Sequence, residues 1–469
     1  MAAALLDQPV PMSPSRRRTE LVMLLFALAV VLLAFAAASL GLSGKISGLP
    51  LYILLYAVLM GAAHLAVGRF APYADPLLLP LAALLNGLGL VMIWRLQESG
   101  RNGNPGVQIG ELTSSSTTMQ VLWTAVGVAV FVAVLFFIKE ARILQRYTYT
   151  LGAVGLVLLA IPALLPASHS SVNGAQVWII FGGFSVEPGE FARLALAVFF
   201  AGYLVAKRDV LALAGRRFAG IDLPRARDLG PVLIAWAASL LILIFETDIG
   251  TSALFFGMFI VMIYIATQRT SWLLIGVALF LFGTLITANL FHHVMERFTS
   301  WLHPFTIANA QGISYQLIQG LYGMAFGGIF GTGLGQGQPY HTPLVQSDFI
   351  FTAFGEELGL VGGMALLLVF GLLVQRGLRA ALAVKDPFSK LLAAGLSFVL
   401  ALQVFVIVGG VTRLIPLTGV TTPFLSQGGS SLVASWLLIG LLIRVSNSAR
   451  QPAPQPIQDE GMTQVVRAA

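Results

Sequence analysis

The chain has 469 residues, 57% of them hydrophobic and only 10% charged, with a mean hydropathy of +0.87. Soluble globular chains carry about a quarter charged residues, and disordered chains combine low hydrophobicity with high charge, so both classes are excluded. The absence of cysteine removes disulfide scaffolds, thiolate nucleophiles and cysteine metal clusters.

A helix needs about 20 apolar residues to cross ~30 Å of hydrocarbon. Twelve stretches predict such spans: Glu20–Leu42, Leu49–Gly68, Pro76–Trp94, Val121–Ile138, Tyr147–Leu165, Phe191–Ala206, Leu229–Phe245, Thr251–Ala266, Trp272–Phe291, Phe349–Val374, Leu391–Val411 and Thr422–Ile443. With the N-terminus inside, 21 of the 27 Lys and Arg residues fall on the inner side. Only Lys45, Arg95, Arg101, Arg193, Arg297 and Arg413 fall outside or at outer helix ends. That asymmetry obeys the positive-inside rule. The net charge of +7 is therefore topology, and points away from nucleic acid as a partner. The expected fold is an all-α polytopic membrane protein of about twelve transmembrane helices in the cytoplasmic (inner) membrane, with both termini cytoplasmic. Residues 1–19 form a cytoplasmic tail, 20–146 the N-terminal helices, and 147–447 the core. Residues 448–469 are polar and read as a disordered tail.

Two connections are long. The stretch Lys207–Asp228 is basic and reads as a solvated inner connector. The outer loop, residues 292–347, is far longer than a connector requires. Its run GGIFGTGLGQGQ (Gly327–Gln338) is not a nucleotide loop, because no strand precedes it and no Lys-Ser/Thr ends it. A flexible loop is one reading of it, and close backbone approach to a sugar or pyrophosphate the other.

Ionisable residues in or beside a membrane point to function. They gather at outer helix ends: Glu187, Glu190, Arg193, Glu246, Asp248, Arg297, Asp348 and Arg413. Glu190 and Arg193, three apart, share a helix face and can pair. Glu356 lies ~12 Å along its helix from Asp348 and about 80° away in azimuth, while Glu357 points to the opposite side. One reading is a carboxylate ladder into a protein-lined interior; the other is pairing with polar neighbours that fixes helix packing. Ser430 and Ser431, with Gly428 and Gly429, permit tight packing or a broken helix at the start of the last span. No histidine pair has metal-ligand spacing.

Several strings in one order resemble the SEDS family (shape, elongation, division and sporulation): NGAQVWI at Asn173–Ile179, EPGEFARL at Glu187–Leu194, ETDIGTS at Glu246–Ser252, the loop from Arg297 through Gln316 to the glycine run, SDFIFTAFGEELGLVG at Ser347–Gly362, and PLTGVTTPFLSQGGSS at Pro416–Ser431. The sequence departs from the family pattern at Gln176 and Val177, where an arginine pair is usual, at Arg193 in place of lysine, and at Gln427 in place of tyrosine. About two N-terminal helices are additional to the family's ten-span core, and the short tails resemble the RodA-like branch more than the FtsW-like one.

The resemblance implies a peptidoglycan glycosyltransferase that polymerises lipid II on the outer face, with an extracytoplasmic active site and a class B penicillin-binding protein as partner. The acceptor sugar's 4-hydroxyl would attack the donor anomeric carbon and undecaprenyl pyrophosphate would leave, in one inverting displacement. Asp348 is where the family's essential aspartate maps, and a hydroxyl nucleophile needs a positioned base. Arg193, Glu190, Arg297, Arg413, Trp178 and Gln316 would bind substrate and pyrophosphate. Asp248, Glu356, Glu357, Ser430 and Ser431 would support them. The leaving group needs fixed positive charge or a divalent cation, Mg or Mn. The lipid tail must stay in the bilayer, so a groove between helices is expected. The competing classes are a multi-span transporter, such as a lipid II flippase, and a non-catalytic scaffold of a cell-wall synthase. Transport predicts a midplane site between related halves, whereas the polar residues here lie at the outer edge.

Overall fold

The computed structural model describes residues 16–44, 49–101, 116–172, 175–181, 184–211, 214–218, 221–224 and 249–452. The long helices are α1 (Arg17–Ser43), α2 (Leu49–Phe70), α3 (Leu78–Arg101), α4 (Ser116–Phe137), α5 (Thr148–Leu164), α6 (Pro188–Leu211), α7 (Ile249–Thr267), α8 (Thr270–Leu290), α9 (His292–Leu302), α10 (Tyr315–Gly327), α11 (Ile350–Ala383), α12 (Pro387–Val411) and α13 (Gly429–Arg450). Among the described residues, eleven are long and apolar enough to cross a membrane. Only α9 and α10 are too short. The chain is thus a multi-pass, helical membrane protein, and its described residues add three small two-stranded antiparallel hairpins, including β1–β2 (Ser171–Val172 with Ala175–Gln176) and β3–β4 (Ile179–Phe181 with Phe184–Val186). The predicted span Leu229–Phe245 lies outside the described residues, as do Asp248 and most of the C-terminal tail.

Two predictions of extent change. The last span begins at Gly429 rather than Thr422, because Thr422–Gly428 folds as a loop closed by a hydrogen bond from the Thr422 N–H to Ser426 Oγ (2.8 Å). The long outer loop is not irregular: it contains α9 and α10. Helix α9 is amphipathic, as an interfacial helix should be.

Helices in lipid pack by shape and polar contact rather than by excluding water. Helix α13 shows both and, with α3, is among the most deeply buried of the described spans. Trp436 is fully buried, donates its indole N–H to Asn86 Oδ1 of α3 (3.1 Å), and meets Phe131 of α4 edge-on at 5.6 Å. At the top of α13, Gly429 lies flat against the Trp123 ring; a Cβ there would sit 2.2 Å from it. Hence glycine is required where α13 starts beside α4.

Helix α11 is broken. Gly359 has φ 68° and ψ −169°, which a residue with a side chain seldom adopts. A break inside a membrane leaves backbone groups without water, so the protein must satisfy them. The glycine run does so. Thr332 and Gly333 donate their N–H groups to the carbonyls of Glu356 (3.0 Å) and Glu357 (2.9 Å), while Leu360 and Val361 donate to Gly328 (2.9 Å) and Ile329 (3.1 Å). A Cβ on Gly331 would lie 2.2 Å from the Glu357 carbonyl oxygen. The run is an ordered plug for the broken helix, which corrects its reading as a flexible loop.

Candidate active site

Asp348 sits two residues before α11, at the helix's N-terminal end, and is half-buried. Burial pushes its carboxyl up to about 6, against the opposing influence of its own and the Phe349 backbone N–H, the Arg297 guanidinium and the Gln316 amide. Each of these is held independently. Arg297, on α9, donates to the carbonyls of Leu417 (3.3 Å) and Thr418 (2.8 Å). Gln316, in the first turn of α10, donates to the Pro343 carbonyl (2.9 Å). The chain entering Asp348 is fixed in turn, because Gln427 N–H donates to the Gln346 carbonyl (2.8 Å) and Ser426 Oγ to that of Ser347. Asp348, Arg297 and Gln316, far apart in sequence, therefore meet. A carboxyl in this setting can accept a proton near neutral pH, with a fixed cation alongside.

The other predicted residues form separate groups. Glu190 and Arg193 pair within the first turn of α6, both buried, as their spacing predicts. The Glu187 N–H donates to Ser430 Oγ (3.2 Å), tying the start of α6 to that of α13. Ser431 Oγ is buried with no partner among the described residues. Arg413 is turned to α9: its guanidinium donates to the carbonyls of Trp301 (2.8 Å) and Leu302 (3.2 Å) and lies 5.7 Å from the Phe305 ring centroid. Trp178, after hairpin β1–β2, donates its N–H to the Ser170 carbonyl (3.2 Å) and lines a small polar cavity.

Glu356 and Glu357 do not join Asp348. Glu356 accepts from the Gln338 N–H. Glu357 accepts from the Gly335 N–H (3.1 Å) and pairs with Arg95 of α3, which also donates to the Gly337 carbonyl. Both carboxylates staple the glycine plug, so packing replaces the ladder reading. Sequence reasoning counted Arg95 as an outer-end cation and missed this role. The signal was present: a lone arginine inside an apolar span needs a buried partner.

An apolar groove of about 560 Å³ runs between α7, α8, α12 and the end of α9, lined by residues such as Phe256, Ile260, Phe280, Phe298, Trp301 and Leu402. Its rim residues Val277, Leu281 and Phe405 are exposed on the outside of the bundle. It ends at Thr418, whose carbonyl holds Arg297.

The model of the FtsW, RodA and SpoVE family of cell cycle proteins matches residues 75–451. The chain belongs to this family. The peptidoglycan glycosyltransferase RodA of Mycobacterium tuberculosis is 51% identical over 446 residues, 94% of this chain and 93% of that protein. Stage V sporulation protein E of Bacillus subtilis is 36% identical over 338 residues, 71% of this chain and 87% of its own. A chain from the solved structure of a peptidoglycan synthase complex that coordinates polymerization and crosslinking superposes with a TM-score of 0.53 and 25% identity, covering 86% of this chain and 98% of its own. The family match begins after α1 and α2. The RodA match, by contrast, spans nearly the whole chain.

Proposed function

We propose that the chain is a peptidoglycan glycosyltransferase that polymerises lipid II on the outer face of the cytoplasmic membrane, acting in cell elongation with a class B penicillin-binding protein. The observation that carries this reading is the half-buried Asp348, whose carboxyl is raised to about 6 beside Arg297 and Gln316. The names of the family relatives support the same chemistry.

In its ionised form Asp348 takes the proton from the acceptor's 4-hydroxyl as that oxygen bonds to the donor's anomeric carbon. The bond from that carbon to the pyrophosphate oxygen breaks, and undecaprenyl pyrophosphate leaves with the electron pair. The configuration inverts from α to β. Arg297, fixed by two backbone carbonyls, supplies preorganised positive charge where the leaving group develops its own. Arg193 is paired with Glu190 at the start of α6, so Arg297 is the cation on which this reading relies. The apolar groove fits a polyprenyl tail that stays in the bilayer while its head reaches Arg297. Among the described residues no three His, Asp or Glu converge on one point, so those residues alone build no three-ligand cage for Mg or Mn. Such an ion would come bound to the pyrophosphate oxygens.

The test is polymerisation. Purified protein with its partner transpeptidase extends labelled lipid II into glycan, and Asp348→Asn does not. Normal extension by Asp348→Asn overturns the catalytic assignment. A wild type that only moves lipid II across vesicle bilayers overturns the reading in favour of transport.

A further inference from the structure

Helix α1 lies outside residues 75–451, the stretch that the family model matches, yet it touches the glycine run directly. Gly41, near the C-terminal end of α1, has the Leu334 carbonyl oxygen where a side chain would begin. A Cβ there would lie 2.4 Å from that oxygen, against the 3.4 Å at which ordinary contact starts. The fit is reciprocal. Gly335 holds a φ of +83°, and a Cβ on it would lie 2.5 Å from the Ala38 carbonyl oxygen. Two backbones meet here with no side chain between them, the close approach that small residues allow between membrane segments.

Helix α1 is itself fixed at its start and its middle. In its first turn the Arg17 guanidinium donates to the Ala74 carbonyl, and Glu20 is bonded to His64 of α2 (2.7 Å). Farther along, Phe35 packs on Trp94 of α3 with ring centroids 4.4 Å apart. The run that α1 supports leads on to Asp348. The Gly335 N–H donates to Glu357 (3.1 Å), the Gln338 N–H to Glu356, and the Thr342 N–H to the Pro339 carbonyl (3.0 Å). Pro343 follows, and its carbonyl holds the Gln316 amide (2.9 Å). That amide bears on Asp348. A bonded strap thus joins the seat on α1 to the carboxyl that acts as base.

We propose that Gly41 is a positioning residue for catalysis: it seats the glycine run on α1, and the seated run sets where Pro343 holds Gln316 beside Asp348. The proposal rests on the glycosyltransferase reading and gives a part in it to a helix outside the matched core. A side chain at Gly41 would push the Leu334 carbonyl away by about 1 Å, the scale of misplacement that slows a reaction from a distance.

The experiment replaces Gly41 in the full chain and makes the same change at Gly61 of α2, where a Cβ meets nothing within 4 Å. In lipid II polymerisation with the partner transpeptidase, Gly41→Leu should lower kcat by about tenfold to a hundredfold. Its KM should stay within about twofold, because Arg297 and the apolar groove are untouched. Its activity midpoint should move to higher pH, since Gln316 lowers the Asp348 carboxyl and Arg297, the charged group acting on that carboxyl, stays in place. Hydrogen exchange should quicken in peptides spanning residues 333–347 and stay unchanged in α13. Gly61→Leu should match wild type in every reading. If Gly41→Leu does not fold, Gly41→Ala, a single methyl at the same point, decides by the same measurements. Wild-type kcat and midpoint in the Gly41 variant overturn the proposal, as does a lower melting temperature with kcat per folded molecule unchanged. Equal losses in Gly61→Leu overturn it too. Faster exchange in the Gly41 variant of a protein whose wild type makes no glycan overturns the glycosyltransferase reading and leaves the seat standing.

Discussion

Two carboxylate sites, Asp348 just before α11 and Glu357 within it, lie about two and a half helical turns apart in sequence, and they differ in what surrounds the charge. At Asp348 the partners are an amide, two backbone N–H groups and an arginine held by other carbonyls, so the carboxyl can gain or lose a proton without breaking the fold. At Glu357 the carboxylate is fully buried, paired with an equally buried Arg95, and bonded to the backbone of a plug that closes a broken helix. Either would attract notice as a buried acid in a membrane protein. The distinction lies in whether the group's partners depend on its charge. A catalytic base needs a charge that comes and goes; a staple needs one that stays.

The sharpest way to break this contrast is to neutralise each acid. Asp348→Asn should cut polymerisation by about 10²–10⁴, the usual share of a general base, with no fall in melting temperature. Glu357→Leu should act through the fold. It leaves Arg95 buried without its partner, which costs about 3–5 kcal/mol, and it also strips the Gly335 N–H of its acceptor. Arg95→Met in the same chain should restore much of that stability, since matched apolar replacement of a buried pair is close to neutral. Thermal unfolding of the two single variants and the double variant reads the difference. Stability lost in Asp348→Asn but kept in Glu357→Leu would reverse the roles.

The pH profile tests the same contrast more finely. Asp348 must be ionised to act as base, and its carboxyl stands near 6 rather than near the 3.8 of an exposed aspartate. Activity should therefore be full above about pH 7 and fall as pH drops through about 6, nearing tenfold per unit below that. The stability sign is the opposite. Because the folded protein holds this proton more tightly than the unfolded chain, Asp348's contribution to stability is present at low pH and declines as pH rises through about 6. Arg297 and Gln316 both lower the carboxyl, so Gln316→Leu should move the activity midpoint upward. A midpoint near 4 in wild type would mean that Asp348 does not set the rate.

Much of the bundle was legible because apolar length and charge asymmetry are local signals. Each of the eleven described spans overlaps the run that predicted it, with the largest differences at the ends of α3 and α11, which run seven and nine residues further, and at both ends of α13. At the start of α13 a polar TTPFLSQG segment continues an apolar stretch without a helix-start signal that hydropathy can see. The pairing of Glu190 with Arg193 was readable because three-residue spacing is itself geometry. The meeting of Asp348, Arg297 and Gln316 was not, since it depends on how α9 and α10 fold back over the start of α11. Only family resemblance named those residues together. The glycine run misled for a physical reason: positive-φ glycines mark mobile turns and tight backbone packing alike, and only the break at Gly359 shows which applies. Arg95 was placed by counting charges over loops, a method blind to depth within a span.

The smallest expected effect separates two arginines that charge alone made equivalent. Both Arg297 and Arg413 were candidates for the pyrophosphate. Arg297 lies where its field reaches Asp348, whereas Arg413 is spent on the last carbonyls of α9 and on the Phe305 ring. The contact is reciprocal, because the Trp301 indole donates to the Arg413 carbonyl (3.2 Å), and Arg413 holds a positive φ of 61° to make it. Arg413→Gln removes charge and keeps a donor, so it should change KM for lipid II by about twofold or less and lower stability by about 1 kcal/mol, the net worth of an ordinary hydrogen bond. Arg297→Gln should reduce kcat by tenfold or more, as expected when preorganised charge at a leaving group is lost. The two variants carry the same change in net charge, so long-range electrostatics cancels between them. Equal kinetic effects would mean that both guanidinium groups reach the substrate, and that the lock Arg413 places on the C-terminal end of α9 opens during turnover.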